Sequence, residues 1–272
     1  MTAAAPIQTG DVALWAEQVG QGPDVLLIAG LGDPAEAWQA QLDGLADRYR
    51  LTAFDNRGAG RTPLGDEPLS IAQMADDAAA LLRALDVPVA HVAGFSGGSV
   101  IAQELALRHP HLVRSLVLVS TWARPDAYLR SLAGSWRWMV EAAPTERAFL
   151  EAFLVSIYTA RSHADGTVEQ IIEEMLAFPH KPTPEAIQRT LDALLAHETA
   201  DRLHAIAAPT LVLAGDEDIC TPPRYGRVVA DAIPGARFEV LAGEAHQPFQ
   251  EAADAFNTRV DAFWREVSAP AP

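Results

Sequence analysis

The sequence predicts a doubly wound α/β fold with a mostly parallel sheet, and three observations support this. Short apolar runs alternate along the chain with longer stretches whose apolar residues recur at helical spacing. Most of the short runs are apolar throughout, which is typical of strands buried on both faces of a parallel sheet. The 272 residues are also enough to bury such a core and to carry an inserted lobe.

The predicted elements follow in chain order from these patterns. Apolar and polar residues alternate over residues 11–19, so this segment is predicted as an antiparallel edge strand. Short runs, most of them solidly apolar, are predicted as strands at 25–29, 51–54, 89–93, 115–119, 210–214 and 237–241. Helical spacing of apolar residues predicts helices over 34–48, 70–85, 100–108, 223–233 and 250–267.

The alternation stops between residues 122 and 200, where helical patterns and prolines recur without a convincing strand. We therefore predict a core of residues 1–121 and 201–272, interrupted by a helical cap of residues 122–200. The cap is rich in aromatic residues, which as a group suggest an apolar lid, although packing alone explains any single one of them. The predicted substrate-pocket residues are Phe95, Trp122, Trp136, Trp138, Met139, Phe153 and Tyr158.

Composition excludes several function classes. The formal charge of −16, from 36 acidic and 20 basic residues, repels nucleic-acid phosphates and anionic membrane surfaces alike. The first six residues lack the basic and apolar regions of a signal peptide, and no apolar run approaches the length of a membrane span. We expect a cytoplasmic protein without nucleic-acid or membrane partners. The single cysteine, Cys220, excludes an intramolecular disulfide, and oligomeric state has no signature in the sequence.

A G-x-S-x-G motif, Gly94-Phe95-Ser96-Gly97-Gly98, lies directly between a predicted strand and a predicted helix. In that context the motif predicts a nucleophile elbow, in which a strained turn exposes the Ser96 hydroxyl above the sheet. The N-terminal end of the following helix favours negative charge, so the Gly97 N–H is a candidate oxyanion donor. An ordinary strand-to-helix turn is the alternative.

A serine nucleophile needs a base and an acid behind it. Of the eight histidines, His246 follows the last predicted strand, in a loop at the carboxyl edge of the sheet where ligand-binding loops gather. Three acids, Asp216, Glu217 and Asp218, follow the strand before it. The chain order serine, acid, histidine is satisfied by any of the three, so spacing alone leaves the choice open.

Four motifs in this order resemble those of the α/β-hydrolase superfamily, in its cap-bearing serine esterase, enol-lactonase and perhydrolase-like branch. Besides the elbow, the chain carries a D-x-R-G-x-G-x-T loop at 55–62, a G-x-x-D segment at 215–218 and a G-x-x-H segment at 243–246. The resemblance covers nearly the whole chain. It implies that Asp218 is the acid of a catalytic triad, while Asp216 and Glu217 are solvated or form turns.

The same resemblance implies that the second oxyanion donor is a backbone N–H in the loop after an early strand. This donor corresponds to Leu31, although Ala29 stands where the family usually has a histidine that braces the loop. For the neighbouring Asp33 the alternatives are a place at the rim of the pocket and a cap for the helix that begins at Pro34, and capping is the prediction. Asp55 and Arg57 are predicted to tie loops together near the site, without a catalytic role.

The combined prediction is a serine hydrolase that cleaves a carboxylic ester or lactone of a small to medium, mainly apolar substrate. Ser96 is the predicted nucleophile, His246 the base and Asp218 the orienting acid, with no metal or organic cofactor required. The expected partner is the small-molecule substrate. The alternatives are a cofactor-free perhydrolase, a polyketide-tailoring ester or lactone enzyme, and a slow-turnover ligand receptor that keeps a hydrolase pocket.

Overall fold

The computed structural model describes residues 3–269, and its core is one eight-stranded sheet. Residues 1, 2 and 270–272 of the predicted core lie outside the described part. The strands are β1 (Ala3–Thr9), β2 (Val12–Gly20), β3 (Asp24–Ile28), β4 (Arg50–Phe54), β5 (Ala90–Phe95), β6 (Val113–Val119), β7 (Thr210–Gly215) and β8 (Arg237–Leu241). Their spatial order is β1-β2-β4-β3-β5-β6-β7-β8, with parallel pairing from β4 to β8.

The predicted doubly wound, mostly parallel α/β sheet is confirmed, but the expected edge strand is wrong in one respect. The alternating segment forms β2, which pairs antiparallel with β4 on one side and with β1 on the other. The strand at this edge is therefore β1, which the sequence pattern does not reveal because its run of alanines with Pro6 has low strand propensity. A proline is compatible with a strand that has a free edge.

Helices cover both faces of the sheet. They are α1 (Gln39–Leu45), α2 (Ile71–Ala84), α3 (Gly97–Arg108), α4 (Ala127–Ala142), α5 (Glu146–Leu154), α6 (Ala160–Ala164), α7 (Thr167–Ala177), α8 (Pro184–Ala196), α9 (Pro223–Ala232), α10 (Pro248–Glu251) and α11 (Ala253–Ser268). The predicted helix at 34–48 is a 3-10 turn (Ala35–Trp38) followed by α1, and the one at 250–267 is divided at Ala252 into α10 and α11.

Alternate side chains of the buried strands enter two different hydrophobic clusters. In β3, Leu26 and Ile28 belong to the cluster that also contains residues of α2, α3 and α9, whereas Val25 and Leu27 belong to the cluster that contains residues of α1 and α11. Because both faces are covered, the strand has to be apolar throughout, and this explains the pattern seen in the sequence. The parallel arrangement also brings the carboxyl ends of β3 to β8 to one edge of the sheet.

Five of the helices, α4 to α8, follow one another between β6 and β7, with no strand assigned among residues 122–200. We call residues 122–200 the insertion. Part of it has a core of its own, in which Leu150, Leu154, Val168 and Ile172 pack together. The boundaries of this segment and its role as a lid stay predictions. Within residues 3–269, no helix is both long and apolar enough to cross a membrane.

Candidate active site

Ser96 lies in a strained turn between β5 and α3. Its φ of 50° and ψ of −118° lie in a region that non-glycine residues rarely adopt. A Cβ on Gly94 would lie 2.3 Å from the Gly98 carbonyl oxygen, and one on Gly98 would lie 2.1 Å from the Ile28 carbonyl oxygen. Both glycines are therefore required for this turn to pack against its neighbours. The G-x-S-x-G motif thus has the strand, turn and helix context of a nucleophile elbow.

The side chains of Ser96, His246 and Asp218 form a continuous hydrogen-bonded series. His246 Nε2 lies 2.9 Å from Ser96 Oγ, and His246 Nδ1 lies 2.8 Å from Asp218 Oδ2. The His246 and Asp218 side chains are almost completely buried. This geometry allows the imidazole to accept a proton from the hydroxyl while the carboxylate holds its other nitrogen.

Among the three candidate acids, Asp218 has the largest set of hydrogen-bond donors. Its carboxylate accepts the N–H groups of Cys220 and Thr221, at 2.8 and 2.9 Å, and the Thr221 hydroxyl at 2.9 Å. Burial alone raises the pKa of Asp218, but the adjacent His246 and the hydrogen bonds from His246 and Thr221 outweigh it, so the net pKa is lowered. The carboxylate consequently stays ionised. Asp216 and Glu217, the other two candidates, are exposed.

The backbone of His246 is held on two sides. Its N–H donates to the Ile157 carbonyl at 3.0 Å, and its carbonyl accepts the Ser120 hydroxyl at 2.8 Å. The ring of Phe95 contacts the imidazole at a centroid distance of 5.0 Å. Sequence reasoning does not find the supporting roles of Ser120 and Thr221. Their position after β6 and β7, at the carboxyl edge of the sheet, is the signal that could have found them.

The two proposed oxyanion donors lie on main-chain segments that approach each other. Gly97 is the first residue of α3, and a Cβ on this glycine would lie 3.5 Å from the Leu31 nitrogen. The loop that carries Leu31 is braced by Asn56, whose side-chain amide donates to the Ala29 carbonyl at 3.1 Å. A buried asparagine thus supports a loop in which the usual histidine is absent. The catalytic roles of Leu31 and Gly97 stay predictions.

Asp33 does not cap a helix, contrary to the sequence prediction. The N–H of Ala35 is bound by Asp55 at 2.7 Å, so the first turn after Pro34 takes its acceptor from another loop. The Asp33 carboxylate instead folds over Gly30, where a Cβ would lie 2.9 Å from Asp33 Oδ2. Burial raises the pKa of Asp33 to about 6, against smaller opposing effects from His246 and the Gly30 N–H.

The predicted loop-tying roles of Asp55 and Arg57 are confirmed. Asp55 also accepts the backbone N–H of Arg61 at 2.7 Å, so it joins its own loop to the start of the 3-10 turn. Arg57 is buried and donates to Asp77 at 2.8 Å and to Asp11 at 2.7 Å. These contacts link the loop after β4 to α2 and to the β1–β2 turn.

A narrow cavity of about 40 Å³ lies above Ser96 and His246. Its wall is mainly apolar and comes largely from the insertion, through Trp122, Leu129, Leu132, Trp136, Leu191 and Leu194. Leu31 borders the cavity on the side of the oxyanion loop. The serine hydroxyl therefore faces a space that suits an apolar group.

Comparison with known proteins identifies the family. The model of the alpha/beta hydrolase fold family matches residues 23–253 of the chain. This chain belongs to the α/β-hydrolase family. It is 34% identical over 258 residues to a candidate carbamate hydrolase, RutD, of Azorhizobium caulinodans, covering 95% of this chain and 97% of that one. It is 35% identical over 257 residues to a candidate non-heme bromoperoxidase, BpoC, of Mycobacterium tuberculosis, covering 92% and 97%.

Among solved structures, the enol-lactonase from Burkholderia xenovorans LB400 has a TM-score of 0.86 and 26% identity, covering 97% of this chain and all of that one. The resemblance seen in the motifs is therefore confirmed, and hydrolase is the activity class supported by the relatives.

In this α/β-hydrolase, the structure brings two of the seven predicted pocket residues, Trp122 and Trp136, to the cavity. Trp138 is 68% exposed on the outer side of α4, because it is two positions from Trp136 and so points away from it. The half-buried Met139 is likewise not among the residues that line the cavity.

The remaining three predicted pocket residues pack against neighbouring side chains and are not among the residues that line the cavity. Phe153 packs against Trp136 within the insertion, with ring centroids 5.2 Å apart. Tyr158 is buried and its hydroxyl donates to Gln250 at 2.6 Å. Phe95 lies beneath the imidazole, among the core aromatic residues. Packing therefore accounts for their placement, as the alternative at the sequence level suggested.

The hydrolase site also contains three side chains with metal-ligating atoms, from Asp218, Cys220 and His246, all within 4.8 Å of one another. Burial, reinforced by the charge of Asp218, raises the pKa of the Cys220 thiol well above its ordinary value. The thiol donates to the Ser156 carbonyl at 2.8 Å, so the sulfur keeps its proton. Since thiolate is the form that binds metals, this donor set fits a triad better than a metal site.

Proposed function

We propose that this hydrolase cleaves carboxylic esters or lactones with a small to medium, mainly apolar acyl group, through an acyl-serine intermediate. The observation that carries the proposal is the 2.9 Å contact between Ser96 Oγ and His246 Nε2, backed by the 2.8 Å contact between His246 Nδ1 and Asp218. An activated nucleophile next to a base that is oriented by a third group is the arrangement used for acyl transfer.

In the proposed reaction, Ser96 Oγ attacks the ester carbonyl while His246 Nε2 takes the hydroxyl proton. The ionised Asp218 stabilises the imidazolium and keeps the ring in the required tautomer. The N–H groups of Gly97 and Leu31 bind the oxyanion, and a donor of this kind is worth about 3 kcal/mol in the transition state. His246 then returns the proton to the leaving alcohol, and water deacylates Ser96 by the same route.

The cavity wall supports an apolar acyl group. No Asp, Glu, Lys or Arg is among the residues that line the cavity in the described part of the chain, so a charged group placed there would lose its hydration without gaining a partner. Three arginines of the insertion are paired with acidic side chains: Arg124 with Glu198, Arg137 with Asp192, and Arg161 with Glu244.

Carbamate hydrolysis is the second candidate, because the relative RutD, 34% identical over nearly the whole chain, is described as a candidate carbamate hydrolase. Attack on a carbamate carbonyl would use the same serine, base and oxyanion donors. Assays with a p-nitrophenyl ester series, matched carbamates, lactones and peracid formation from hydrogen peroxide would rank these activities. A preference for carbamates over every ester would overturn the ester assignment.

The decisive test is Ser96→Ala. We expect turnover of p-nitrophenyl esters to fall by at least about 10⁴-fold and labelling by a fluorophosphonate probe to disappear, because the nucleophile is removed. Ser115→Ala is a matched control, since Ser115 is a buried serine that bonds to His91 at the far end of the neighbouring strand. Labelling that survives in Ser96→Ala would remove Ser96 from the mechanism.

A further inference from the structure

Glu251, at the end of α10, gathers four hydrogen-bond donors on one carboxylate. Its Oε1 accepts the Thr159 N–H at 2.9 Å, the Thr159 hydroxyl at 2.7 Å and the Ser162 hydroxyl at 2.6 Å. Its Oε2 accepts the N–H of Ala245 at 3.3 Å. An ionised carboxylate has acceptor sites for all four donors, whereas an amide of the same shape has a single acceptor oxygen.

These donors belong to two different parts of the molecule. Thr159 and Ser162 lie in the insertion, where Thr159 precedes α6, while Ala245 directly precedes the base His246. The next N–H along the chain, that of His246, is bound by the carbonyl of Ile157, also in the insertion. Two consecutive N–H groups at the catalytic histidine are therefore fixed, one by Glu251 and one by the segment that Glu251 anchors.

The same short stretch of the insertion, residues 156–162, contacts the loops of both triad partners of Ser96. We call it the clasp. Its Ser156 carbonyl accepts the Cys220 thiol beside the triad acid, and its Arg161 pairs with Glu244 at 3.0 Å beside the triad base. The clasp consequently connects the insertion to the loops of both the acid and the base. Glu251 accepts three hydrogen bonds from the clasp and one from Ala245 in the base loop.

We propose that Glu251 is a positioning residue for the hydrolytic reaction: by holding Ala245 and the clasp together, it keeps His246 Nε2 within hydrogen-bonding distance of Ser96 Oγ. This inference rests on the proposed serine mechanism. It requires no contact between Glu251 and substrate. A displacement of about 1 Å in a catalytic group costs on the order of 10²-fold in rate, so a loosened histidine loop has a large kinetic effect.

The test is Glu251→Gln, which preserves shape but directs an NH₂ group at a donor. If the amide oxygen stays on Thr159 and Ser162, the amide nitrogen faces the Ala245 N–H, and that contact becomes repulsive. We expect kcat for p-nitrophenyl acetate to fall roughly 10- to 100-fold, with KM changed less than about threefold because the loss falls on the transition state. The rate of fluorophosphonate labelling should fall by the same factor, since this small probe needs the base but not a well-closed cavity.

Two further variants separate positioning from stability. Asp261→Asn is the matched control: Asp261 is a buried carboxylate that accepts the Tyr49 hydroxyl at 2.8 Å and Arg48 at 2.7 Å, on the far side of α11. It should lower Tm while leaving kcat and labelling unchanged. Thr159→Val removes one hydroxyl and keeps the Ala245 contact, so it should reduce labelling by a smaller factor than Glu251→Gln, and it provides the measurement if the latter does not fold.

The inference is wrong if labelling and kcat of Glu251→Gln stay within twofold of wild type, or if only KM changes. Glu251 would then be an anchor of the insertion alone. If neither variant of the clasp alters labelling while the wild-type enzyme is labelled at Ser96, the proposed function stands and this inference fails. Absence of labelling in the wild-type protein would instead overturn the proposed function.

Discussion

The sheet and the insertion bury their apolar residues in different ways. In β3, Leu26, Leu27 and Ile28 are completely buried in succession, whereas α4 buries two of its sixteen residues, Leu129 and Ala133, and leaves Trp138 68% exposed. A strand covered on both faces has to be apolar at every position, so its sequence reveals its environment. A helix lying on the surface needs one apolar stripe, and its other aromatic residues face solvent or neighbours that its own sequence does not identify.

This difference also divides the candidate site. Ser96, Asp218 and His246, the proposed nucleophile, acid and base, follow strands β5, β7 and β8 of the sheet, and the structure brings their side chains together. The wall of the cavity comes largely from the insertion, and five of the seven predicted pocket residues are not part of this wall. Under the proposed function, the reacting groups belong to the sheet, whose strands the sequence predicts, and the wall that contacts the substrate belongs to the insertion, whose packing the sequence does not predict.

The largest effect that tests this difference between the sheet and the insertion is expected at Asp218, the proposed triad acid. Asp218→Asn should reduce kcat for p-nitrophenyl esters by about 10⁴-fold, because the amide cannot stabilise the imidazolium and favours the wrong tautomer. Glu217→Gln, one position away and exposed, should retain wild-type activity. Steady-state kinetics on both variants provide the measurement. Comparable losses of kcat in the two variants would contradict the assignment of Asp218 as the triad acid.

Two buried histidines, one in the sheet and one in the insertion, allow the two regions to be compared through the pH dependence of folding stability. Burial lowers the pKa of His91, in β5, and of His197, at the end of the insertion, from 6.5 to about 4. Between these values the unfolded chain binds protons that the folded chain does not, so stability falls as pH decreases from 6.5 to 4. Each ring should contribute on the order of 3 kcal/mol to this loss.

Urea unfolding at pH 7 and pH 4 measures the effect. His91→Gln and His197→Gln should each reduce the difference in unfolding free energy between the two pH values by about that amount. Equal reductions would mean that the sheet and the insertion unfold together. A reduction at His91 alone would show that the insertion opens and takes up its proton before the sheet unfolds.

The smallest expected effect is on acyl selectivity. Trp136→Ala removes an indole from a narrow wall, so the ratio of kcat/KM for p-nitrophenyl octanoate to that for the acetate should rise by roughly tenfold. Trp138→Ala, which removes the exposed neighbour, should leave the ratio unchanged. An equal change of this ratio in both variants would show that the insertion repacks when the substrate binds. The exposure of a side chain in the free protein would then not predict its effect on acyl selectivity.

Much of the site was predictable because it depends on local patterns. The G-x-S-x-G turn requires glycines on both sides of Ser96, and His246 follows the last strand, so motif and position agree. The acid was ambiguous among three neighbours until the resemblance selected Asp218, and in the structure Asp218 has four hydrogen-bond donors whereas Asp216 and Glu217 are exposed. Asp33 was interpreted wrongly because its competitor for the Ala35 N–H, Asp55, is distant in sequence.

From the sequence alone, the fold class, most of the strands and the order of the candidate triad can be predicted, because they follow from burial on two faces and from backbone strain at a few glycines. The folded molecule is needed to see which strand lies at the edge, which tryptophans line the cavity above Ser96, and that Glu251 joins the His246 loop to the insertion. Each of these depends on contacts between segments far apart in the chain. Such contacts are selected by the packing of the whole molecule, and local residue patterns carry no record of them.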